Sequence, residues 1–302
     1  MPMPFHGSRR DILKLTAVGG VVFASGLVGA QGKKKKSDAS SDFFFLQLSD
    51  THWGYSGVSN PQADVTLKKV VETINGVSVR PDFVVFTGDL THKTDDGAVR
   101  RKRMAEFKQI VSQLDIKTVH LMPGEHDADQ DAGRAFQENF GATHYTFDHK
   151  GVHFVALDNV SDPTAGVGAA QIDWLSADLK KVGRNAPIVL LTHRPLFDLY
   201  PEWDWSTKDG AKVIDVLLPY KHVTVFYGHI HQENHHQTGH IAHHAARSLV
   251  FPLPAPGSVP KKAPLPWDPA APLAGLGYRQ IDVEAHDGDT KLTELPAVKP
   301  HA

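Results

Sequence analysis

The sequence predicts an α/β protein whose strands are buried and largely parallel. Three observations carry this reading. Short apolar runs alternate with longer stretches of helical periodicity from Phe43 to Phe226, as strands joined by crossover helices do. The runs are continuously apolar and not alternating, as strands covered on both faces require. The chain has 302 residues, 41% hydrophobic and 22% charged, long enough to bury roughly 75% of its unfolded surface without disulfides or a structural metal.

Taken in order, Phe43-Phe44-Phe45-Leu46-Gln47-Leu48 is too short for a helix and reads as a buried strand. From Asp64 to Val77, Val65, Leu67, Val70, Val71 and Ile74 recur at helical spacing. Phe83 to Phe86 reads as a strand, Asp96 to Leu114 as a charged helix and Thr118 to Leu121 as a strand. Thr143 to Asp158 reads as two strands around His149-Lys150-Gly151. Ala169 to Val182 is amphipathic and helical, Ile188 to Leu191 a strand, Lys208 to Leu218 a helix and Val223 to Phe226 a strand. His235 to Ser248 is strand-like around Thr238-Gly239, and Gly277 to Glu294 forms one or two final strands. Between them, Pro252 to Pro272 holds eight of the 20 prolines and must be extended. It serves either as a lid over a site or as the cover of a sheet edge.

The N-terminus reads as an address. Ser8-Arg9-Arg10 precedes a mild Gly/Ala-rich apolar run from Leu15 to Ala30, which resembles a bacterial twin-arginine export signal. The run is shorter than the ~20 residues of a membrane-spanning helix, so no stable span is expected once the signal is removed. The expected organisation is a signal peptide at 1–30, a polar linker at 31–42 containing Lys33 to Lys36, a globular domain at 43–295 with a Pro-rich segment at 252–276, and a tail at 296–302. The expected location is periplasmic or secreted, or membrane-anchored if the signal is retained. The partner this implies is the twin-arginine export machinery.

Composition narrows the chemistry. A formal charge of −2 argues against broad phosphate neutralisation, and no nucleic-acid binding is expected. Cysteine is absent, which excludes thiolate zinc sites, iron–sulfur clusters and cysteine nucleophiles. Histidine is abundant at 19 residues, eight of them between His222 and His244.

Five predicted strands each run into a cluster of metal-ligand type: Asp50-Thr51-His52, Gly88-Asp89 with His92, Gly124-Glu125-His126-Asp127, His193-Arg194 and Gly228-His229-Ile230-His231. Ligands in open α/β sheets bind beyond the carboxyl ends of strands, and one such cluster alone would be an ordinary cap or surface group. Carboxylates with neutral imidazoles suit Fe, Mn, Zn, Co or Ni, not a calcium cage.

The order Asp-x-His, Gly-Asp, Gly-x-His, His, Gly-His-x-His over Asp50 to His231 resembles the calcineurin-like binuclear metallophosphoesterases. The resemblance implies a four-layer α/β/β/α sandwich of two packed sheets flanked by helices. It implies two metal ions, one held by Asp50, His52 and His231, the other by Glu125, His193 and His229, with Asp89 bridging. His126 falls where the family has a histidine that contacts the phosphoryl group and protonates the leaving oxygen. The implied activity is hydrolysis of small-molecule phosphate mono- or diesters by a hydroxide that the metals make available near neutral pH.

Two positions depart from the family: its Asn is Glu125 here, and its frequent acid after the bridging Asp is His92. Glu125 either ligates as a third carboxylate or points away. A third carboxylate weakens attraction for an anionic phosphate, which a trivalent–divalent metal pair would restore. Asp95, Asp96 or Asp127 would have to orient His126 in place of the missing acid. His92 and Arg194 are further candidates for holding substrate phosphate, although a salt bridge is the ordinary fate of such an arginine. His235, His236, His240, His243 and His244 read either as a rim to the site or as polar strand faces. Trp53, Tyr55, Trp203 and Trp205 stand in loops near the site, for stacking or packing. A non-catalytic metal- or anion-binding protein on the same scaffold, or an enzyme with one metal, are the alternatives.

Overall fold

The computed structural model describes residues 22–25 and 42–298. The paired arginines, the lysine-rich linker and the last four residues lie outside the described residues. Of the expected signal peptide, only β1 (Val22–Ser25) is described, its backbone antiparallel to the last strand.

Two six-stranded sheets form the framework. The first contains β1, β2 (Phe43–Leu48), β3 (Phe83–Thr87), β4 (Val119–Met122), β11 (Gly277–Glu284) and β12 (Asp289–Pro296), in the order β1-β12-β11-β2-β3-β4. The second contains β5 (Tyr145–His149), β6 (Val152–Ala156), β7 (Pro187–Leu191), β8 (His222–Tyr227), β9 (Asn234–Thr238) and β10 (Ile241–Ala245), in the order β5-β6-β7-β8-β10-β9. Parallel pairing is confined to β2–β3–β4 at one end of the first sheet and to β6–β7–β8–β10 in the middle of the second. The remaining pairings are antiparallel, so the expected predominance of parallel strands is corrected to a mixed pair of sheets. Hairpins join β5 to β6, β9 to β10 and β11 to β12 because the turns 150–151, 239–240 and 285–288 are too short for a crossover.

The burial pattern makes four layers. Helices α1 (Ala63–Asn75) and α2 (Gly97–Val111) bury Leu67, Val70, Ile74, Met104 and Phe107 against Leu46, Leu48, Val84 and Phe86 on the outer face of the first sheet. The alternate residues Phe43, Phe45, Phe83 and Val85 face inward and meet Phe154, Val189, Leu191 and Phe226 of the second sheet. Phe45 stacks on Phe83 at 4.9 Å and meets Phe154 edge-on at 5.6 Å. Two more helices, α5 (Ala169–Leu179) and α6 (Gly210–Leu217), cover Ile188, Leu190, Val223 and Val225 on the far side. The continuous apolar runs of the sequence are thus strands buried on both faces.

Two short helices, α3 (Glu125–Ala128) and α4 (Arg134–Phe140), have no readable periodicity in the sequence. The Pro-rich segment forms no helix or strand, and buries Leu253 and Leu276 along the side of the molecule. Ala297, just past β12, is buried with the first core. No helix among the described residues is long and apolar enough to cross a membrane.

Candidate metal centre

The loops after β2, β3, β4, β7 and β8 converge at one end of the two sheets. The β2 and β3 loops are zipped together, Asp50 N–H donating to Gly88 O, His52 N–H to Asp89 O and Trp53 N–H to Leu90 O. Asp127 ties the β3 loop to the β4 loop: its carboxylate accepts from the N–H groups of Leu90, Thr91 and Gly124 at 2.9, 2.8 and 3.0 Å, and from the Thr91 hydroxyl. Such tight loops bend the backbone hard. Asp50, His52, Asp89, His229 and His231 all have positive φ, between 43° and 66°, and are five of the nine non-glycine residues that do so among those described. Each costs on the order of 1–3 kcal/mol and persists only where the surroundings over-determine it. Gly88 at φ +93° is required twice over, since a Cβ there would also run into the His193 ring.

The seven side chains singled out in the sequence gather into two adjoining donor sets. Ligand atoms of Asp50, His52, Asp89 and His231 lie within 4.8 Å of one another, as do those of Glu125, His193 and His229. In the first set His52 Nε2 is 3.2 Å from His231 Nε2 and 3.3 Å from Asp89 Oδ2, and His231 Nε2 is 3.4 Å from Asp50 Oδ1. In the second, Glu125 Oε2 is 2.8 Å from His193 Nε2 and Glu125 Oε1 is 2.8 Å from His229 Nδ1. Asp89 Oδ2 also stands 3.4 Å from His193 Nε2, so one oxygen faces both sets. The edge of a tetrahedron of ligands around zinc at ~2.1 Å is about 3.4 Å. Glu125 points into the cluster, which removes the alternative in which its longer side chain turns away.

The remaining ring nitrogens are held by backbone carbonyls. His193 Nδ1 donates to Thr87 O at 2.7 Å, His229 Nε2 to Asp204 O at 2.9 Å and His231 Nδ1 to Phe251 O at 2.8 Å. Each bond fixes the tautomer and turns the other nitrogen's lone pair inward, as metal-ligating histidines require. His52 differs, its Nδ1 lying 3.3 Å from His92 Nδ1. Asp50 is held by the His229 N–H at 3.1 and 3.2 Å, and Asp89 Oδ1 accepts the His126 N–H at 2.9 Å.

These donors fit a cation. Glu125 Oε2, His193 Nε2 and His229 Nδ1 are buried without a hydrogen-bond partner and face one another, an arrangement that costs free energy unless a positive charge sits between them. Burial lowers the His193 pKa, but Asp89 and Glu125 outweigh it and hold the ring well above 6.5. Burial opposes ionisation of Glu125, which His229 and His193 nonetheless hold well below the usual carboxylate range. For Asp89, burial and Glu125 are likewise outweighed, by His193, His126 and His52, and the carboxyl stays ionised. His52 is kept neutral by burial first and by His126 second.

His126 projects from α3 beside the first set, its ring 4.4 Å from that of His52. Neither Asp95, Asp96 nor Asp127 orients it. Asp95 accepts from Gln130, Asp96 caps α2 through the N–H groups of Ala98 and Val99, and Asp127 is spent on the loops. Its Nδ1 instead accepts the Lys93 N–H at 3.1 Å, which leaves the proton of the neutral ring on Nε2. His92 is half-buried between His52, His126 and Tyr55, and burial first and His126 second push its pKa down to about 4.

Arg194 is buried, with Nη1 on Asp204 Oδ1 at 2.5 Å and Nε 3.9 Å from Glu125 Oε2. Tyr55 alone of the four loop aromatics contacts the rim, against His92 and Phe251. Trp203 and Trp205 are core residues, and Trp53 packs on the first core with its indole N–H on Glu106. The β9–β10 histidines form no multidentate group with the centre: His236 stacks on Phe197 at 3.8 Å, and His235 pairs with His244. Two supporting residues escaped the sequence reading. Asn159 Oδ1 accepts the N–H groups of His193 and Arg194, and Asp204 holds both His229 and Arg194.

Comparison with known proteins gives the same outline. A family model described as calcineurin-like phosphoesterase matches residues 45–233. A probable cyclic nucleotide phosphodiesterase of Rhodococcus erythropolis is 29% identical over 204 residues, covering 62% of this chain and 64% of the relative. A cAMP/cGMP dual specificity phosphodiesterase of Mycobacterium tuberculosis is 30% identical over 167 residues, covering 51% of each. The chain therefore spans between about half and two-thirds of the length of these relatives. Among solved structures, a purple acid phosphatase from yellow lupin seeds superimposes with a TM-score of 0.58 at 14% identity, over 86% of this chain and 57% of that one.

Proposed function

Because the chain belongs to the calcineurin-like phosphoesterase family, we propose that it hydrolyses phosphate esters with two metal ions, and that its substrates are small phosphodiesters. The observation that carries this is Asp89 Oδ2, which stands 3.3 Å from His52 Nε2 and 3.4 Å from His193 Nε2 and so faces both donor sets. Asp50, His52 and His231 would hold one ion, Glu125, His193 and His229 the other, and Asp89 both. When bound, such a pair acidifies water towards neutral pH and neutralises charge on the phosphoryl oxygens.

The chain's own groups do the rest. The carbonyls of Thr87, Asp204 and Phe251 keep three histidines in the ligating tautomer. The strained loops hold the donors in place before substrate arrives, so little reorganisation remains at the moment of reaction. His126, with Nδ1 occupied by the Lys93 N–H, carries its proton on Nε2 and gives it to the departing ester oxygen. A phosphodiester is favoured over a monoester by the names of both curated relatives. The metal pair is drawn from Fe, Mn, Zn, Co and Ni, which suit mixed carboxylate and imidazole donors.

The proposal includes export by the twin-arginine route, from Ser8-Arg9-Arg10 and the apolar run behind them. Periplasmic location that is lost on Arg9→Lys/Arg10→Lys substitution supports export, and unchanged location overturns it. For the activity, protein replenished with Mn, Fe, Zn or Co should turn over bis-p-nitrophenyl phosphate faster than p-nitrophenyl phosphate, and a cyclic nucleotide as well. No turnover by protein holding two metals per chain would leave the binding-protein reading, for which Glu125 is the motivating residue.

A further inference from the structure

Glu125 brings a third carboxylate into a centre that already holds Asp50 and Asp89. Two divalent cations against two carboxylates leave two positive charges to attract an anionic phosphate. A third carboxylate removes one of them. A longer acid where the family has an amide should therefore weaken substrate binding unless something else supplies a cation.

Arg194 stands where that cation is needed. Its guanidinium is buried, with Nε lacking a hydrogen-bond partner and 3.9 Å from Glu125 Oε2. The side chain is not free to reach a ligand in solvent, because Nη1 is held by Asp204 Oδ1 at 2.5 Å and lies 3.5 Å from Asp204 O. Its backbone is equally fixed: Asn159 Oδ1 accepts the Arg194 N–H, and Asn159 Nδ2 and the Thr192 hydroxyl donate to the Arg194 carbonyl. Asp204, at φ 65°, also receives the His229 Nε2–H on its carbonyl. One strained residue thus positions both a ligand of the second ion and the arginine behind Glu125. An arginine is always charged, and at this separation in a partly dry site its field is felt strongly.

We propose that Arg194 is a positioning residue that offsets the charge of Glu125, so that the centre keeps its attraction for phosphate with two divalent ions and needs no trivalent one. The proposal rests on the two-metal reading above. It also differs from direct phosphate recognition, which a solvent-directed guanidinium would imply.

Charge compensation predicts changes of opposite sign for phosphate and for the second metal, whereas direct recognition predicts a change for phosphate alone. The test uses full-length holoenzyme loaded with Mn or Co, with metal content per chain, release of the more weakly held metal and inorganic phosphate affinity all measured. Arg194→Met should weaken phosphate about tenfold, a loss typical of one uncompensated neighbouring charge, while the second metal is held more tightly. Glu125→Asn should do the reverse, tightening phosphate and loosening the metal. In Glu125→Asn/Arg194→Met, phosphate affinity should return to within about threefold of the parent, because removing one charge of each sign leaves the net charge of the centre unchanged. Arg194→Lys should keep most of the affinity, which guards against a variant that merely misfolds.

A Glu125→Asn/Arg194→Met variant that binds phosphate as weakly as Arg194→Met alone would overturn the pairing, as would unchanged or looser binding of the second metal in Arg194→Met. A parent protein holding two divalent ions whose double variant shows no rescue sinks this proposal alone. A parent holding fewer than two sinks the two-metal reading, and this proposal with it.

Discussion

Three of the four candidate histidine ligands are held by a second contact that fixes which atom they present. His193, His229 and His231 are fixed by backbone carbonyls, while His126 is fixed by a backbone N–H and so presents a proton instead of a lone pair. His126→Asn should therefore lower kcat by roughly 10²–10⁴-fold, the range for a positioned acid. Its metal content should stay unchanged, and an accompanying loss of metal would make the ring a ligand. Metal binding must also expel the proton that Asp89 and Glu125 hold on His193 well above pH 6.5. Affinity for the second ion should thus fall as pH is lowered through neutrality, with proton release on binding in calorimetry; pH-independent binding would contradict this. The ligands themselves were legible because each follows a strand in a short fixed motif. Asp204 was not, because its role depends on a left-handed turn that brings a loop residue back to Arg194 and His229, and no local pattern marks it.

At the level of elements, the strained loops after the central strands carry the centre, and Asp127 is their common tie. Asp127→Ala removes one acceptor from three backbone donors and should destabilise the metal-free chain by about 3 kcal/mol in urea denaturation; a loss under about 1 kcal/mol would mean the loops hold without it. The β10 strand makes a different prediction. His244 is buried, and desolvation first, then Arg279, push its pKa down to about 2. The unfolded chain takes up a proton near pH 6.5 that the folded chain refuses. The penalty is absent above about 6.5 and grows as pH falls towards about 2, so His244→Gln should flatten the acid side of the stability curve. The expected difference is about 1.4 kcal/mol per pH unit between pH 6 and 3, and identical slopes would refute it. Helices α1 and α5 were legible from apolar spacing, α2 as a charged helical stretch and α6 from its place in the alternation, all within a few residues at their ends. Helices α3 and α4, of four and seven residues, are too short to show a period, and α3 carries Glu125 and His126.

For the whole molecule, the two sheets act as one platform because their facing aromatic layer, Phe43, Phe45, Phe83, Phe154 and Phe226, locks them together. Cross-sheet bonds such as Gln47 Nε2 to Tyr227 O then bring the β2–β3–β4 loops against those of β7 and β8. The buried strands were legible as unbroken apolar runs. The hairpins β5–β6 and β9–β10 were legible from their short turns, but the antiparallel insertion of β11 beside β2 was not, since that pairing depends on the path of a long connection and not on composition. The account turns on the separation of the two donor sets by a single shared carboxylate, and anomalous scattering from a crystal of metal-loaded protein tests it most directly. Two peaks about 3.5–4 Å apart, on either side of Asp89, are the predicted result. A single peak, or two that do not share that oxygen, would contradict it.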